Sequence, residues 1–143
     1  MSGTLAAPPP AVLAKSCERL NAFEKRLAGM PACPVPPVEH RFTPGLYSRT
    51  IFMQRGLVCT SKIHKTEHQY VLSKGRLEVW SEQDGWKLIA APYIGITKPG
   101  ARRALNILED CVWTTFHPTT TTDLAALEAE LIEPHEIPCH GSR

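Results

Sequence analysis

Two imidazoles four residues apart, His64 and His68, lie in a polar stretch between two short apolar runs, and a third, His117, ends a later apolar run. Neutral imidazole is a common ligand of first-row transition metals, so these three residues are the candidate metal ligands. The plainer reading of His64, Lys65 and His68 is a polar, solvated bend between two strands, with no metal and no cofactor. A second group, His135, Cys139 and His140, lies in a C-terminal segment interrupted by Pro134 and Pro138. A flexible tail of that kind makes a poor preorganised site. No GxSxG, P-loop, HExxH or dinucleotide fingerprint occurs, and Ser61 and Ser73 have no evident base or orienting partner.

The histidines must be positioned by strands. The stretch 56–75 reads as one strand over 57–63, a bend carrying His64 and His68, and a second strand over 69–73, closed at Gly75. Further strands are expected over 46–54, 76–82, 86–90, 93–97, 103–107 and 111–116, separated by turns at Arg55-Gly56, Lys74-Gly75, Gln83-Asp84-Gly85, Ala91-Pro92, Lys98-Pro99-Gly100 and Glu109-Asp110. Eight short strands at this spacing point to an all-β sandwich, and a jelly roll is the expected closure. Thr43-Pro44-Gly45 sets the turn into the first of them.

Helical periodicity occurs at both ends. Over 11–28, Leu13, Cys17, Leu20, Phe23 or Glu24, and Leu27 recur every three or four residues, and Gly29 and Pro31 stop the pattern. An isolated helix of this length is marginal in water, so its apolar stripe must dock on its own domain or on another subunit. A short helix over 123–132 is capped by Thr122 or Asp123 and ended by Pro134. Between the first helix and the strands, residues 30–39 form a Pro-rich strap, which excludes a helix or a central strand there. The chain thus divides into an arm, helix and strap (1–42), a β domain (43–118), and a short helix with a C-terminal arm (119–143).

Composition narrows the function classes. A chain of 143 residues with net charge +2 and 43% hydrophobic residues is one ordinary globular domain. Arg102-Arg103 is the nearest thing to a basic cluster, which argues against a nucleic-acid groove. No run approaches the roughly 20 apolar residues of a membrane helix, and the N-terminus lacks a basic secretory start, so a cytosolic setting is expected. Five scattered cysteines without a CxxC read as reduced thiols, with Cys59 and Cys111 as small core residues. Tyr70, Trp80, Trp86, Tyr93 and Trp113 fall at strand positions and read as core or interface packing.

The stretch from Leu46 to Phe116 resembles the cupin superfamily, whose first motif carries two histidines one residue apart followed by Glu between glycines, and whose second carries Pro, Gly, His and Asn. Gly56, Gly75 and His64 match the first motif, and Asn106 follows Pro99-Gly100 as in the second. Lys62 stands at the first histidine, His68 at the glutamate, and Arg102 or Arg103 at the third histidine. The resemblance implies a double-stranded β-helix, and it implies a metal site only if His117 joins His64 and His68. A lost metal site implies a protein that is not an enzyme.

The segments 61–68, 94–103 and 111–119 also resemble small cupin-like proteins of tailed bacteriophages. That resemblance implies a virion structural protein: a capsid cement, or decoration, protein on the capsid surface, assembled in the host cytoplasm and homodimeric, with the major capsid protein as partner. Pro-rich ends agree with it, because such arms cannot build a core of their own. The expected contacts are Leu13, Leu20, Phe23, Leu27 and the strap prolines Pro34, Pro36 and Pro37. The alternative is a degenerate cupin enzyme or sugar-binding module using His64, His68 and His117.

Overall fold

The computed structural model describes residues 10–31, 35–134 and 139–141. Of the residues singled out above, Pro34 and His135 lie outside that set, as do the side chains of Leu13, Cys17, Cys139 and His140. The period-two pattern gives eight strands: β1 (Val38–Thr43), β2 (Leu46–Met53), β3 (Leu57–Thr60), β4 (His68–Ser81), β5 (Gly85–Ala90), β6 (Tyr93–Thr97), β7 (Ala104–Pro118) and β8 (Cys139–Gly141). Helix α1 (Pro10–Ala28) precedes them, and α2 (Leu124–Leu131) lies between β7 and β8.

Two long strands organise the rest. β4 and β7 pair antiparallel from Gln69↔Phe116 to Trp80↔Ala104. On the other edge of β7, β2 takes the second half and β3 the first. On the other edge of β4, β6 takes the first half and β5 the second. Two five-stranded halves, β1-β2-β7-β4-β6 and β8-β3-β7-β4-β5, therefore share their central pair. Between them the register slips at Leu72/Lys74, Lys74/Arg76 and Arg76/Leu77, and bulges of this kind bend a ladder without ending it. The result is an all-β jelly roll, a double-stranded β-helix with a helix at each end.

Eight strands were expected, but they are not the same eight. Lys74-Gly75 and Glu109-Asp110, expected as turns, lie inside β4 and β7. Gly75 adopts φ +95°, and a Cβ there would stand 2.3 Å from the Asp110 carbonyl oxygen. The two strands thus touch backbone to backbone where they bend, which a sequence cannot distinguish from a hairpin turn. Strands β1 and β8 restore the count. β1 begins at Val38, so the boundary drawn at residue 43 falls inside the first hairpin, and the strap ends at Pro37, whose carbonyl accepts Phe52 N–H at 3.0 Å. The turn at Pro44-Gly45 has the expected form, with Gly45 at φ +75°.

The core fills the space between the halves with Leu72, Leu77, Ile107, Cys111, Trp113 and their neighbours. Cys59 and Cys111 are buried in the core, as expected from their strand positions. Tyr70 stacks on Trp113 with centroids 4.3 Å apart, whereas Trp86 is 54% exposed.

Helix α1 docks on β3 of its own chain. Leu20 and Leu27, expected among contacts to a partner, are instead 1% and 3% exposed within this chain. Phe23 stays partly exposed, and the open choice at 23 or 24 falls to Glu24, which is buried against the Arg102 guanidinium. Arg102 also donates to Asn21 Oδ1 at 3.0 Å. A charge buried this deeply is tolerated because its counter-charge is buried with it.

Gly75→Ala tests the shared bend. Strain at positive φ together with the clash is expected to cost about 1–3 kcal/mol in urea unfolding. Gly85→Ala is the control, because Gly85 has φ +63° and nothing within 4 Å of its would-be Cβ. Equal losses in the two variants would remove the case for a backbone contact at the bulge.

Candidate metal centre

His68 opens β4 and His117 nearly ends β7, and the ladder between those strands sets them side by side at one end of the barrel. Their ring centroids are 4.6 Å apart. Residues two apart share a face of a strand, so Thr115 points inward with His117, and the pair is bonded: His117 Nε2 and Thr115 Oγ1 are 2.9 Å apart. Tyr47 lies opposite His117 in the β2–β7 register, stacks on its ring at 5.7 Å, and holds its hydroxyl 2.6 Å from His40 Nδ1.

His64 reaches the site by a different route. It belongs to no regular strand but makes an isolated bridge to Ile132, just past α2. Lys65 N–H donates to Leu131 O and Glu133 N–H to Ile63 O, each at 2.8 Å, while His64 O accepts Gly100 N–H at 2.9 Å. Helix α2 is in turn capped by the Asp123 carboxylate, which accepts Ala126 N–H at 2.9 Å, and pinned by Leu127 and Leu131 packed on Tyr47. Lys65 Nζ donates to Ala129 O at 2.8 Å, placing a cation at the negative end of the helix dipole. The C-terminal helix therefore folds back over the barrel mouth and delivers His64, whose ring centroid is 4.2 Å from His68 and 5.4 Å from His117.

The expectation of a solvated bend fails for its second histidine. His68 is 4% exposed and His117 1%, and only His64 is partly open to solvent. The His68 tautomer is set by Nδ1, 3.2 Å from Thr66 O, which leaves Nε2 with a free lone pair. His117 has a buried Nδ1 without a hydrogen-bond partner among the described residues. Where Thr115 Oγ1 accepts from Nε2–H, that Nδ1 carries the free lone pair a metal needs.

One ligand atom from each of His64, His68 and His117 lies within 4.8 Å of the others. A tetrahedral ion with nitrogen ligands at 2.0–2.1 Å holds them about 3.4 Å apart, so the three rings would draw together on an ion. Three neutral imidazoles and an orphaned buried nitrogen fit a divalent transition metal. The positions where the cupin pattern expects further histidines do other work. Lys62 pairs with Glu128 at 3.3 Å, Arg102 is committed to α1, and Arg103 lies over the Tyr70 ring at 5.6 Å.

Electrostatics keep the cluster neutral. Burial, then His68, His117, Arg49 and Lys62, push His64 from 6.5 down to about 3. Burial, His68 and Arg49 push His117 from 6.5 to about 4. Burial also lowers His68, against the opposing bond to Thr66. Neutral imidazole is the form that binds metal.

No protein-family model matches the chain, and no curated protein sequence matches it. Solved structures match it in fold. KdgF from Halomonas sp. is 17% identical over 63% of this chain and 84% of its own, with a TM-score of 0.50. An uncharacterised protein with a double-stranded β-helix domain from Klebsiella pneumoniae is 14% identical over 65% and 85%, also at 0.50. A cupin-2 domain protein from Shewanella frigidimarina is 13% identical over 68% and 92%, at 0.47. The two matches at 0.50 agree with the double-stranded β-helix fold described above.

The histidine shifts predict an acid-labile protein. A pKa lowered on folding means the unfolded chain binds more protons, so the contribution to stability is complete above pH 6.5 and is lost as pH falls through about 4 and about 3. Chelator-treated protein should lose thermal stability over that window, and His64→Gln should flatten the loss. An unchanged profile in the variant would mean that His64 does not carry the effect.

Proposed function

We propose that this chain is a metal-binding protein that holds one divalent transition-metal ion through His64, His68 and His117. The observation that carries this reading is the buried, unpartnered Nδ1 of His117 within a cluster whose three ligand atoms lie within 4.8 Å of one another. Leaving such a polar nitrogen unsatisfied costs about 1–3 kcal/mol, and an ion on it removes the cost.

Three protein ligands rather than four is the pattern of sites that keep a coordination position for an incoming molecule. That favours a metal-dependent enzyme or ligand-binding module over an ion with a purely structural role. When bound, the ion supplies Lewis-acid polarisation of a ligand oxygen or acidification of a bound water. The chain's own residues do the positioning. The Thr66 carbonyl holds the tautomer of His68, Thr115 bonds His117 Nε2, and Tyr47 packs against the His117 ring. The α2 segment brings His64 up to them, and water reaches the cluster on the partly exposed His64 side.

A capsid-cement role is a second reading. It draws on the strap, where Met30 and Val35 are 53% and 86% exposed and so offer apolar surface to a partner. Pro36 is partly covered and Pro37 exposed. Co-sedimentation with intact virions at a copy number near that of the main shell protein is its test, and it is compatible with a bound ion.

Elemental analysis tests the metal reading. Protein loaded with Zn, Mn, Fe(II) or Ni and then desalted should retain close to one ion per chain. His64→Ala and His117→Ala should retain far less while keeping the far-UV spectrum of the parent. Wild-type protein that retains none of the four ions would overturn the reading.

A further inference from the structure

The strand register places two arginines directly behind the histidine row. Tyr47↔His117 and Arg49↔Thr115 are successive inward pairs of β2 and β7, and Tyr70↔Thr115 continues the second row onto β4. Arg103 joins that row from the other side. Its guanidinium lies over the Tyr70 ring at 5.6 Å and donates to Thr97 Oγ1 at 3.0 Å, and Thr97 is the β6 partner of His68. Rows two residues apart on one strand face are separated by about 7 Å. Arg49 and Arg103 therefore flank the Thr115–Tyr70 pair one row below the three imidazoles.

Neither guanidinium is neutralised there. Arg49 is only partly exposed, yet its guanidinium forms no ion pair or hydrogen bond with a described residue. The carboxylate whose field reaches it is that of Glu128, which is itself paired with Lys62 at 3.3 Å. Arg103 has a hydroxyl and an aromatic face for company but no carboxylate within ion-pair distance among the described residues. His68 occupies the place where the cupin pattern has Glu, so the histidine row brings no negative charge either. Arginines held without counter-ions beside a polar cluster are suited to a ligand that carries the anion.

We infer that Arg49 and Arg103 receive the carboxylate of a small organic acid whose second oxygen donor reaches the metal at His64, His68 and His117. The inference rests on the metal reading for its second contact, while the charge recognition stands on the arginines. Guanidinium forks bind carboxylates through paired hydrogen bonds, and a protein carboxylate would compete for them. A neutral polyol lacks the charge that the two guanidinium groups call for.

The test is calorimetric titration of zinc-loaded protein with malate and succinate, and with erythritol as an uncharged probe. Malate is expected to bind at least about tenfold more tightly than erythritol, and Arg49→Gln and Arg103→Gln should each weaken malate about 10- to 100-fold. Zinc stoichiometry and far-UV spectra should stay at parental values in both, and Arg49→Lys should recover part of the affinity. Equal binding of malate and erythritol, or full malate affinity in both glutamine variants, would overturn the inference. The two proposals fail separately. If wild-type protein retains none of zinc, manganese, iron(II) and nickel, the metal reading falls, and thermal stabilisation of the metal-free protein by succinate, abolished in Arg49→Gln, still supports the arginine site. Absence of that stabilisation, together with absence of all four ions, overturns both.

Discussion

The continuous ladder between β4 and β7 is the constraint on which the other features rest. Because both strands pass through the bend without breaking, each contributes inward residues to both halves of the barrel, and the register beyond the bulge is set by the register before it. A slip of one residue would turn every inward side chain outward. The same pairing that stacks Leu72 beside Trp113 in the core therefore carries His68 and His117 to one end and sets Tyr70 beside Thr115 a row behind them. Gly75 makes this possible, since only a residue without a Cβ can sit against the Asp110 carbonyl while the two strands bend together.

The ends of the chain complete what the ladder begins. Helix α2 and the residues after it bond to the bend between β3 and β4, and that contact fixes His64. Helix α1 is tied elsewhere, by Leu20 and Leu27 on the sheet and by Glu24 against Arg102. The residue after Arg102 is then free to enter the barrel, and Arg103 does so over Tyr70. One arginine of the doublet anchors a helix, and its neighbour, just before β7, lies over Tyr70.

Charge gives the site its character. Burial and the neighbouring cations hold the imidazoles neutral, which suits them to a metal and costs the protein stability in acid. The inward rows around them contain two guanidinium groups and no Asp or Glu among the residues paired there. A divalent ion would add to the positive charge, so a bound anion is the natural complement of this barrel end.

Local chemistry written along the chain makes the β class, both helices, the Pro44-Gly45 turn and the burial of Cys59 and Cys111 legible, because each depends on neighbours within a few residues. His64 and His68 were visible as candidates for the same reason, and His117 by its residue type. What the chain alone left open was anything decided by partners far apart in sequence. A glycine at positive φ looks the same in a hairpin and in a bulge, and Glu109-Asp110 looks like a turn, so the sequence alone divides β4 and β7 into two strands each. An apolar helix stripe does not name the surface it meets, so the sequence leaves Leu20 and Leu27 between their own domain and a partner. Arg49 gave no signal at all, since an arginine in an alternating strand reads as an outward residue. Only the pairing of β2 with β7, some 64 residues away at Thr50 and Thr114, turned it inward, and only the closure of α2 over the barrel mouth brought three separated imidazoles into one cluster.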